Sequence, residues 1–247
     1  MRLQELFLIE TTEEDRAIIS LANVIYRHIQ KYADYIDPED PNPVDTGEIK
    51  DFCDTPLKAL DVIHIELQNG DALRERLKKE DVKADDENPN KVTSGAWFNR
   101  LETITLNFDR IYSNSMKSVI VHELRHALDD FKSEGRASSS ERYGTPKKKE
   151  HRKKDPYTKN FPYLAQPAEI NARFVQVLDA LANTIADESD LPTDQLRAHA
   201  LKKLKIYFRN LEISSIFPEK EQSRDYKRLI KRAVDFIYKE VDHIKSK

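Results

Sequence analysis

Apolar and polar positions along the chain change period several times, and each change marks an element. From Thr12 to Ala33 a threonine and three acids lead into Ile18, Leu21, Ala22, Val24 and Ile25, which recur at helical spacing. This predicts an amphipathic helix. "DYIDPEDPNPVDTGE", residues 34–48, has three prolines and many acids and reads as a loop. "IKDFCDTPLKAL", 49–60, fits no single period. "DVIHIELQ", 61–68, alternates among β-branched residues and stops at Asn69-Gly70, which predicts a strand. "DALRERLKK", 71–79, predicts a short helix, and "EDVKADDENPNK", 80–91, a polar linker. "SGAWFN" and "ETITLNFD" then read as strands rich in β-favouring side chains, with Asn99-Arg100-Leu101 as the turn between them.

The second strand feeds the run "SVIVHELRHALDD", residues 118–130. Met116, Val119, Ile120, Leu124, Ala127, Leu128 and Phe131 make this a largely buried helix, with Ser113 or Ser115 as N-cap. Residues 133–160 break the pattern and read as a long surface loop, with six Lys or Arg between 147 and 154. That basic run is either a plain solvated connection or a flap that engages an acidic partner. Order returns at "PYLAQPAEINARFVQVLDALANTI", where Pro167 suits a first helical position. Ile170, Phe174, Val177, Leu178 and Leu181 form its apolar stripe. Two further helices are expected over 192–211 and 221–245.

Composition narrows the class. The chain has 247 residues, enough for one large domain or two small ones. Five glycines leave no glycine-rich phosphate loop, and abundant Leu, Lys, Glu and Ala favour a mostly helical α+β chain with a small mixed or antiparallel sheet. A net charge of −3 and a pI near 6.2 call for neither nucleic acid nor an anionic membrane. No apolar run approaches the roughly 18 residues of a membrane span, and the N-terminus lacks signal-peptide features. Cys53 is the only cysteine, which excludes an internal disulfide and a cysteine zinc cage. A cytoplasmic site of synthesis fits, with a virion location or signal-less export as alternatives.

The chemistry lies in the buried helix. Residues four apart on a helix stand on one face, so His122 and His126 point the same way and can pinch one metal ion. Glu123, one step round, can reach water activated by that ion. This is H-E-x-x-H on a helix, a zinc-hydrolase signature. The ordinary alternative is three polar groups satisfied by hydrogen bonds within a core, which is costly without partners. A catalytic zinc needs a third protein ligand and an open position. The extended pattern with a third histidine fails, because Asp129 stands where its glycine would be and Lys132 where its histidine would be. The third ligand therefore comes from elsewhere. The best candidate is Glu169, in the first turn of the next helix on the polar flank of its stripe. Its ordinary reading is an acid favouring the helix dipole. Asp130, Glu134, His151 and His199 are rivals. His28, His64 and His243 read as surface or core-edge residues.

His122-Glu123-x-x-His126 with a downstream Glu169 resembles the gluzincin branch of zinc metallopeptidases, most strongly over residues 102–181. "HELRHALDD" is similar to the active-site helix of thermolysin-like and lethal-factor-like peptidases. The spacing Y-x-x-x-P-x-E-x-x-A, Tyr163 to Ala172, resembles phage-encoded HExxH proteins. The resemblance implies a zincin-like core with the sheet packed on the active-site helix. It would form a single domain: an N-terminal part (1–92), a catalytic part (93–186) and a helical C-terminal part (187–247). It implies Zn2+ held by His122, His126 and Glu169, Glu123 as general base, and a Tyr or His steadying the oxyanion. Tyr163 is the first choice for that role and Tyr157 and Tyr143 are reserves. Asp130 could steady an imidazole from behind, or equally be a plain surface acid near the helix end. One departure stands out: thermolysin-like enzymes carry an aspartate four residues after the ligand glutamate, and here that residue is Arg173. The implied activity is zinc-dependent hydrolysis of a protein or peptide. The alternatives are a structural or interaction protein, such as a virion component, that keeps the fold without turnover, and an effector that cleaves one host protein.

Overall fold

The computed structural model describes residues 12–37, 39–79, 94–113, 115–133, 167–217 and 223–246. They are mostly helical, with one small mixed sheet of four strands, an α+β arrangement. The described residues fall into two compact units, one within Ala17–Gly135 and the other within Met1–Arg16 and Arg136–Lys247.

The first unit is built on the sheet. Helix α1 spans Thr12–Ala33 as expected and continues into this unit from Ala17. Strand β1 (Val44–Glu48) follows where the proline-rich sequence reads as loop. "VDTGE" has little strand propensity, and its pairing with β2 (His64–Gln68) is interrupted by a bulge between Asp45 and Glu48. Gly47 sits in that bulge at φ +108°, a conformation that favours glycine, and its N–H donates to Asp45 Oδ1 at 2.9 Å. The ambiguous stretch after it forms one turn of helix, α2 (Ile49–Phe52), and a 3-10 turn at Lys58–Leu60. His28 lies at a core edge, its ring stacked on Phe52 at 3.9 Å and its Nε2 3.0 Å from the Thr46 carbonyl.

Helix α3 (Gly70–Lys79), strand β3 (Gly95–Phe98) and strand β4 (Thr103–Asn107) complete the sheet, whose order is β1-β2-β4-β3. β4 pairs in parallel with β2 and antiparallel with β3. It is buried at every position. A strand covered on both faces must sort its side chains strictly by parity. On one face Leu73 and Leu77 of α3 meet Ala96 and Phe98. Arg76 lies over the Phe98 ring there and pairs with Glu66, whose Oε2 also accepts the Thr105 hydroxyl. The opposite face carries Gly95, Trp97 and Leu106 toward helix α4 (Met116–Lys132).

Two contacts set the approach of α4 to β3. Trp97 Nε1 donates to Asp130 Oδ2 at 2.7 Å, and a Cβ on Gly95 would lie 2.8 Å from Val119 Cγ1 and 3.0 Å from Leu106 Cδ2. Ser115 occupies the N-cap position of α4, but its side chain caps nothing; its hydroxyl lies 3.0 Å from that of Ser113.

The second unit is a set of packed helices. Helix α5 (Pro167–Asp187) opens on Pro167 and packs with α6 (Thr193–Asn210) and α8 (Arg224–Lys245). The last two match the expected helices, while the short α7 (Ile213–Ile216) between them has no counterpart in the sequence reading. The stripe Ile170, Phe174, Val177, Leu178 and Leu181 is buried. Phe174 and Phe208 meet edge to face, and Arg232 lies over the Phe174 ring while donating to Asp15. No helix among the described residues is long and apolar enough to cross a membrane.

Gly95→Ala should force α4 away from the sheet. We expect a loss of about 1–3 kcal/mol, the usual cost of overpacking a tight core, read as a lowered urea midpoint with an unchanged slope.

Candidate metal centre

Helix α4 turns about 100° per residue, which distributes the ionisable groups of "HELRHALDD" over separate stripes. His122 and His126 share one. Both rings are half-buried, with centroids 4.5 Å apart and planes nearly perpendicular. Their Nε2 atoms are 2.9 Å apart, close enough for one imidazole N–H to donate to the other nitrogen. Two nitrogens bound to one tetrahedral zinc at about 2.0–2.1 Å would stand roughly 3.3 Å apart. A few tenths of an ångström of ring movement separates the two arrangements, so the pair fits a shared ion. Glu123, the next residue round the helix, is buried.

A second stripe holds a pair that the sequence reading did not single out. Arg125 Nη2 donates to Asp129 Oδ1 at 2.6 Å, and both side chains are fully buried. Its trace in the sequence is the i, i+4 spacing of opposite charges on an apolar helix. Asp129, noted only as the residue in place of a glycine, is thus half of an internal ion pair. Asp130 is buried beneath Trp97 rather than lying on the surface.

Glu169 stands in the first turn of α5, as expected, but not on a polar flank. It is 2% exposed, and Ala168, Ile170, Asn171 and Ala172 around it are buried as well. A dipole-favouring surface acid would not be so enclosed. Its Oε1 accepts Arg173 Nε at 2.8 Å. Nηs of the same guanidinium are not idle: Nη1 lies 3.4 Å from the Leu211 carbonyl and 3.2 Å from Glu212 Oε2. Arg173 therefore belongs to the surroundings of the glutamate, which the comparison of residue types alone left open.

His122, His126 and Glu169 each offer one ligand atom, and these atoms all lie within 4.8 Å of one another. It is the one such group of His, Cys, Asp or Glu found among the described residues. The donor set is two neutral nitrogens and a carboxylate, the chemistry that suits zinc with a position left for water. His199 is half-buried on α6 and not part of the group, and His243 is exposed near the end of α8. His64 lies between Asp45 Oδ2 at 3.0 Å and Glu48 Oε1 at 3.2 Å. Tyr163, Tyr157, Tyr143, Glu134, His151 and the basic run 147–154 lie outside the described residues.

Comparison with protein-family models, with curated proteins and with solved structures gives no match.

Breaking the buried pair on α4 should be severe. Asp129→Ala takes a carboxylate partner from the buried Arg125 guanidinium, and we expect about 3–5 kcal/mol of destabilisation. Replacing both residues, Arg125→Met with Asp129→Leu, should cost far less. Chemical denaturation of both variants beside the unaltered protein checks the ordering.

Proposed function

We propose that the chain is a zinc-dependent metallopeptidase of the gluzincin type, with a zincin-like core, acting on a protein or peptide. The observation that carries this reading is the donor set: two helix-stacked imidazoles and a buried carboxylate with their ligand atoms within 4.8 Å. Glu169 is buried and already paired with Arg173, and its second oxygen is the one this reading gives to the ion.

In this reading His122, His126 and Glu169 hold the ion. Zinc bound there would lower the pKa of water toward about 7 and polarise the scissile carbonyl. Glu123 is the general base. It follows His122 on the helix and is buried, and in this reading its carboxylate would stand beside the ion without being a ligand. It takes a proton from the attacking water and delivers it to the leaving amine. Such positioned transfer contributes about 10²–10⁴-fold. Tyr163 is the residue assigned to the developing oxyanion. Cytoplasmic synthesis accompanies this reading.

Metal analysis and peptide-library hydrolysis test it. The purified protein should carry about one equivalent of zinc, and His122→Ala should lose it, since removing one of three ligands leaves too few. Glu123→Gln should keep the metal and lower turnover by about 10²–10⁴-fold. Metal without hydrolysis in the unaltered protein would favour a structural zinc protein instead. No metal in the unaltered protein would overturn the reading.

A further inference from the structure

Resting on that reading, we propose that Arg173 is a positioning residue that fixes the Glu169 carboxylate by one oxygen and so presents the other to the metal. Both residues lie on α5, four apart, with Arg173 one turn beyond the glutamate. A glutamate has three side-chain torsions, and a ligand that must find its pose at each binding event loses much of its contribution to ordering. The 2.8 Å bond from Arg173 Nε to Oε1 removes that freedom before any ion arrives. Glu169 is 2% exposed, so bulk solvent does not reach it to do the same work.

The guanidinium is held in turn. Its Nη1 reaches the Leu211 carbonyl, at the C-terminal end of α6, and the Glu212 carboxylate. A helix C-terminus carries partial negative charge and suits a cation. Glu212 adopts φ +62°, left-handed and unusual for a residue with a side chain, and this turn brings both acceptors to one arginine. A fork of five donors can bridge such a set, whereas a lysine ammonium would serve it only in part.

One objection is that a cation beside a ligand repels the metal. Glu212 answers it. Glu169, Arg173 and Glu212 together carry one net negative charge, the same as a lone carboxylate, so the metal keeps its electrostatic attraction and gains an oriented donor. Outer-shell partners of metal ligands commonly contribute 10–100-fold in affinity, and we expect that size here.

The test is competitive titration of the metal-free full chain with Zn2+, and with Co2+ followed by its visible spectrum. Glu169→Gln should weaken binding strongly. Wild-type affinity in that variant would remove the parent reading and this inference together. With Glu169 intact, Arg173→Gln should weaken binding by about 10–100-fold and change the Co2+ spectrum, while Arg173→Lys recovers part of the loss. In the Glu169→Gln background the Arg173 substitutions should have no further effect, because the arginine acts only through that carboxylate. Wild-type affinity in both Arg173 variants, or equal losses with and without the Glu169 carboxylate, overturns the inference while leaving the metal reading intact. If Arg173→Gln does not fold, Arg173→Lys decides by the same two criteria.

Discussion

Helix α4 is a buried helix that carries ionisable groups on most of its turns, and each has to be compensated where it stands. Arg125 and Asp129 are fully enclosed and answer each other across one turn. Leaving either charge alone would cost several kcal/mol, a large share of the roughly 5–15 kcal/mol that holds a domain together. Together with the buried apolar residues of the helix, this pair favours one rotation of it. Once Arg125 and Asp129 face inward, His122 and His126 are committed to another stripe, and Trp97 finds Asp130 near the helix end. The geometry of the imidazole pair thus follows from a compensation problem elsewhere on the same helix.

The sheet enforces this from the other side. β4 is buried on both faces, so parity decides that Thr105 meets Glu66 while Leu106 faces α4. Gly95 lets the helix come close enough for the indole of Trp97 to reach Asp130. A larger residue at 95 would open that distance and loosen the support beneath both histidines. The placement of the two imidazoles therefore depends on residues outside the candidate group.

Much of this is legible in the chain. Long periodic segments, Thr12–Ala33 and the helices after Pro167, stand out because many apolar positions agree on one period. The His122–His126 pairing is legible because i, i+4 spacing is a local property of any helix. β1 is not, since its five residues are held by pairing with β2 against their own propensity. The enclosure of Glu169 is not legible either. Periodicity assigns a face relative to one partner, and a helix turn buried on several sides has no polar flank for it to find. The Ser115 cap fails for a similar reason: a hydroxyl in the right position still chooses among neighbours, and here Ser113 is the nearer one.

Arg173 shows what a residue type means only in context. Where thermolysin-like enzymes carry an aspartate, this chain carries the opposite charge. An acid at that place would have to steady a neutral imidazole; an arginine cannot, and its carboxylate neighbours at 169 and 212 give it a different task. In the proposed site the support would fall on the glutamate rather than on a histidine. The left-handed backbone at Glu212 accompanies this arrangement, bringing a carboxylate and the Leu211 carbonyl to one guanidinium.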